Sequence, residues 1–226
     1  DYQAATVKAY ETILNYGISS VPVDPLPIIR SISGVFVVSF TEMSYGIGIK
    51  RETLLSTIGD QCQDAVTSVR RKGEQLIYIV AYNQRIPYYM LQRALARELG
   101  HIILRHDGSR PEEVRTAEAI CFAQHLLCPR PLIKGIQDAG LTLTVETLGT
   151  LTGCYGRCLS AMRKSEGVHV PPEINRSVRE RFKGYINNFA EYRSLITYED
   201  ESPIANFGTY MEGYEDVFPT LFFRNG

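Results

Sequence analysis

"LARELGHIILRH", Leu95–His106, decides how the rest of this chain is read. Pro87 suits a first helical turn and Gly108 helps an end, so a helix is predicted from about Pro87 to about Leu104. Upstream, "GVFVVSF" has the β-branched and aromatic content of a strand. "DAVTSVRR" and "EQLIYIVAYN", joined at "KG", read as two further strands with a tight connection. Downstream, "RPEEVRTAEAICFAQHLLCP" opens on Pro111 and two glutamates, which suit the positive end of a helix dipole, and closes on Pro129. Val114, Ala117, Cys121, Phe122 and Leu126 recur at spacings of three and four, so this second helix is amphipathic.

Farther out the pattern is mainly helical. Residues 3 to 17 have a helical period ending at Gly17, and a short helix is predicted near Leu26 to Ser31. "KRETLLSTIG" reads as a short helix or turn. Beyond Pro129 a short helix to about Ala139 is expected, then a pair, Val145 to Leu151 and Tyr155 to Lys164, joined at Gly153. A longer helix should span about Pro172 to Leu195, ahead of an acidic, aromatic tail. The expected fold is therefore α+β: a small, partly antiparallel sheet of about three strands, packed on one side by the two helices described first, with a mainly helical C-terminal extension.

Composition removes several function classes. With 226 residues, 44% hydrophobic and 22% charged, the chain can bury a substantial core. A formal charge of −1 argues against a broad nucleic-acid or membrane surface, so the Gly153-linked pair reads as packing and not as a DNA reader. No apolar run approaches the length that spans a bilayer, and the expectation is a soluble, cytoplasmic protein. The five cysteines, Cys62, Cys121, Cys128, Cys154 and Cys158, fit no disulfide framework and read as packed thiols.

The chemistry concentrates on three residues. Side chains four apart on a helix share a face, so an H-E-x-x-H helix offers two imidazoles to one metal ion and places a carboxylate beside it. Here Glu98 and His101 supply the Glu-x-x-His half, but the first position holds Arg97. Guanidinium is always protonated and has no lone pair, so Arg97 cannot be a ligand. Glu118, with 16 residues between it and His101, is placed on the next helix as a third ligand.

The pattern "ARELGHIILRH" followed by "AEAICFAQHLLCP" resembles the ImmA/IrrE family of zinc-dependent peptidases over roughly residues 1 to 165. The second motif falls on Glu118, Ala119, Phe122, Ala123, Leu126, Leu127 and Pro129. The resemblance implies a zincin-like active-site helix, with Glu98 as general base and His101 and Glu118 as zinc ligands. It implies hydrolysis of a peptide bond by zinc-polarised water, on a helix-turn-helix repressor controlling a phage, mobile element or stress response. The domain so implied is 1–165, followed by a helical extension and tail at 166–226.

Arg97 leaves three readings open. In a pseudo-enzyme, its cation stands in for zinc and pairs with Glu118 or Glu98, and the chain serves as a protein-binding module. In a rebuilt site, zinc is held by His101, Glu118 and a substitute ligand, either Cys121 or His106. His106, five residues after His101, reaches the same ion only if the helix has ended or bent. In the third reading histidines are structural, which is the expectation for His106, His125 and His169 but not for His101, because Glu98 and Glu118 accompany it.

Overall fold

In the computed structural model, residues 1–58, 64–140, 143, 145–153 and 168–196 are described. Helix α1, Tyr2–Asn15, is capped by the Asp1 carboxylate, which accepts from the Ala4 N–H. Asp24 likewise caps α2, Pro25–Ser31, and β1 follows at Val35–Ser39. Helix α3, Phe40–Ile47, starts on a capping box in which Ser39 and Glu42 satisfy each other's backbone N–H groups. Helix α4 is Arg51–Ile58, and β2, Ala65–Lys72, turns at Gly73 into β3, Gln75–Tyr82. Gly73 takes φ +61° there, a conformation that favours glycine.

The sheet order is β1-β3-β2, with β1 parallel and β2 antiparallel to β3, so the sheet is small and mixed. Side chains alternate across it. One face, including Val35, Val37, Tyr78 and Val80, enters the main core beneath α5, Tyr88–Ile103. The other carries Val38, Val66 and Ala81, covered by Phe40 and Leu54 of α3 and α4. Phe36 and Ile79, paired on that second face, remain 59% and 37% exposed.

Helix α6, Glu112–Leu127, packs behind α5, and α1 packs on α6. Gly100 permits the α5–α6 contact: a Cβ on it would stand 3.0 Å from both Cα and O of Ala119. Helix α7, Arg130–Asp138, follows, then α8 at Val145–Thr152. The predicted single helix near the C-terminus is two, α9, Pro172–Arg181, and α10, Lys183–Ile196, broken at Phe182. Val178, Phe182, Ile186 and Phe189 from this pair enter the same core as α1 and α6, so the extension is packed on the body. The expected helix from Tyr155, the thiols Cys62, Cys154 and Cys158, and the tail lie outside the described residues. Among those described, no helix is long and apolar enough to cross a membrane.

Candidate functional site

Helix α5 presents Arg97, Glu98 and His101, and its C-terminal end explains what becomes of the third. The chain leaves the helix in a Schellman motif: the Arg105 N–H bonds to Ile102 O and the His106 N–H to His101 O, both at 3.0 Å. Arg105 takes φ +54°, the left-handed position more often given to glycine. The helix ends as predicted near Leu104, and the reversal that ends it lies at Arg105, ahead of Gly108. This reversal folds His106 back under the helix, where five helical residues would have carried it to another face.

The two imidazoles meet, with Nδ1 of His106 3.0 Å from Nδ1 of His101. At its other edge, His106 Nε2 lies 3.0 Å from Glu118 Oε2 on α6. Arg110, in the turn before α6, donates to both oxygens of Glu118, from Nη1 at 2.9 Å and Nη2 at 2.7 Å. The Asp1 nitrogen also lies against Oε1. Burial would raise the Glu118 pKa, but hydrogen bonds from the Asp1 nitrogen, Arg110 and His106 outweigh it and hold it down to about 2.

Protons can be placed along this chain. Glu118 is an anion and only accepts, so His106 Nε2 must donate. Burial is the first cause lowering both histidines: His106 is pushed below its ordinary pKa against the pull of Glu118, and His101 down to about 4, with the neighbouring His106, Arg97 and Arg115 adding to the effect on His101. Neutral His106 then accepts at Nδ1, and His101 must donate from its own Nδ1. The lone pair of His101 is left on Nε2. ¹⁵N NMR of the rings at pH 8, above the ordinary histidine range, should accordingly find His101 protonated at Nδ1 and His106 at Nε2; the reverse tautomers would break the assignment.

Arg97 points elsewhere. Its Nε is 2.9 Å and its Nη2 2.8 Å from Glu98 Oε1, and Nη2 also donates to the Ala65 carbonyl on β2 at 2.9 Å. Of the two carboxylates considered for it, Glu98 is the partner. Burial pushes the Glu98 carboxyl above its ordinary range, and Arg97 and Thr67 pull against that shift. Cys121, a predicted substitute ligand, is turned to α1, with its Sγ 3.6 Å from Thr6 Oγ1 and 3.7 Å from Tyr2 O. His125 is fully buried against Tyr10, Nδ1 to Oη 3.3 Å, and His169 is exposed.

These positions do not converge as a zinc site does. Ligands must reach within about 2.0–2.2 Å of one point. The His106 ring stands between His101 and Glu118 and spends one nitrogen on each, whereas one imidazole gives one nitrogen to an ion. Glu118 is filled by Arg110, and Glu98 is engaged by Arg97. Among the described residues no three His, Cys, Asp or Glu side chains are grouped to hold a metal ion. Sequence reasoning missed Arg110; its position two helical turns before Glu118, beside Pro111, was the available signal. Comparison of the chain with family models, curated proteins and solved structures finds no match.

Proposed function

We propose that this chain is a non-catalytic protein-binding module on an ImmA/IrrE-like, zincin-related scaffold, and that it holds a helix-turn-helix transcriptional repressor without cutting it. The observation that carries the reading is the grip on Glu118, which accepts both arms of Arg110 and a hydrogen bond from His106. A zinc peptidase needs three convergent ligands, an open position, and a carboxylate free to take a proton from water. Here an ion pair and an imidazole bridge fill those places. Such a network keeps the two helices in register without a metal, because every buried charge in it has a partner. The small sheet packed on α5 supports the scaffold assignment; the repressor comes from the motif resemblance alone.

A second reading, a peptidase rebuilt on His101, His106 and Glu118, is favoured by one observation: the three side chains already touch in sequence. Elemental analysis of untagged full chain separates the two. Zinc far below one ion per chain, with a repressor bound and left intact, is the expected result. Near-stoichiometric zinc, with repressor cleavage that disappears in Glu98→Gln, would overturn the binding-module reading.

A further inference from the structure

We infer that Arg110, and not Arg97, is the residue that closes Glu118 to a divalent cation, its guanidinium occupying the ion's place on the carboxylate. The inference rests on the metal-free reading of the site. Arg97 makes its contacts on the β2 side, with Glu98 and the Ala65 carbonyl, and neither is a contact to Glu118. Arg110 meets Glu118 fork to fork, one N–H on each oxygen, which is the strongest and most directional form of this pair. With Oε2 also taken by His106, the carboxylate has little left to offer an ion, and a second cation would face a fixed positive charge.

The turn that carries Arg110 is itself held. Arg115 Nε donates to the Arg110 carbonyl at 2.9 Å, the Ser109 N–H donates to Asp107 Oδ1 at 3.0 Å, and Arg71 Nη2 donates to Asp107 Oδ2 at 2.9 Å. Arg110 therefore meets Glu118 from an anchored backbone. Its side chain is 48% exposed while that of Glu118 is 4% exposed. Truncating Arg110 thus disturbs little packing, yet it removes the one contact that spans both oxygens of a buried carboxylate, leaving the Asp1 nitrogen on Oε1 and His106 on Oε2. A carboxylate flanked by imidazoles is a donor set for zinc and similar divalent ions of the first transition row.

A specific consequence concerns repair of the H-E-x-x-H pattern. Arg97→His supplies the missing imidazole but leaves the clamp on Glu118 in place. The test is a zinc titration in competition with a chromophoric chelator. It uses the full chain as parent, Arg97→His, Arg97→His/Arg110→Ala and Arg97→His/Arg110→Lys, each checked for folding by circular dichroism. The Ala double variant should bind zinc about 100-fold more tightly than Arg97→His alone, the equivalent of losing a pair of charged hydrogen bonds. The Lys double variant keeps the charge without the fork and should fall between them, and it carries the test if the Ala variant does not fold. Equal zinc affinity with and without Arg110 would overturn the inference. Zinc bound by the parent would sink the metal-free reading instead, and the comparison made on Arg97→His would still decide the role of Arg110.

Discussion

Glu118→Ala should lower the melting temperature by about 6–12 °C, the equivalent of about 3 kcal/mol for a chain of this size. The loss comes from what the substitution strands. His106 is buried and would keep an Nε2–H without an acceptor, and Arg110 would lose both of its carboxylate contacts. Glu118→Gln keeps the shape and one acceptor oxygen and should cost less than half as much. The sign of the pH dependence follows from the depressed pKa. A carboxylate held down to about 2, against an ordinary 4.5, adds stability above pH 4.5 that disappears as pH falls towards 2. The gap in melting temperature between parent and Glu118→Ala should therefore be full at pH 6 and close on acidification below 4.5. Calorimetry across that range measures it. A gap that stayed constant down to pH 2.5 would show that the carboxylate's charge is not what stabilises the helix pair.

Gly100→Val should be comparably damaging. The nearest atoms to a new Cβ are backbone Cα and O of Ala119, each at 3.0 Å, and a ring carbon of Phe122 at 3.1 Å. A side-chain neighbour could rotate away, but a helix backbone has to be displaced whole. Overpacking of this kind costs up to about 3 kcal/mol. Gly100→Ala should be milder, since relief of the glycine in a helix interior returns about 1 kcal/mol. Denaturant unfolding gives both values. Because Glu118 directly precedes Ala119, spreading the helices at this contact should also lengthen the His106–Glu118 hydrogen bond, visible as a shift in the His106 ring ¹⁵N signals. A Val variant as stable as the parent would mean that the helices do not pack at this distance.

How far the sequence could be read depended on how local the cause was. The three strands and helices α5 and α6 follow from residues adjacent in the chain: β-branched runs, "KG" at the hairpin, and prolines before the helices. Helix α3 was equally local, announced by Ser39 and Glu42 in capping-box spacing, and was missed beside the strand that feeds it. The break at Phe182 had only Gly184, two residues on, to announce it and was passed over; Phe182 is fully buried in the core that α1 and α6 share. In the site, Glu98, His101 and Glu118 were singled out by spacing together with the motif resemblance. Arg97 was placed correctly on its helix, but which of two carboxylates it faced depended on β2, more than thirty residues upstream. Arg110 escaped notice because its role arises only when the turn before α6 is folded against the end of α5.

The Schellman reversal at Arg105 gives this turn an unusual kind of leverage. Whether His106 touches His101 is decided by where the left-handed residue falls, since the five-residue spacing closes only through the reversal at Arg105. Inserting or deleting one residue between His101 and Arg105 would shift the register of the reversal and move the imidazole out of the relay. The turn between α5 and α6 is thus a counting device, in which a change of length, with no substitution at all, connects or disconnects the histidine from the carboxylate.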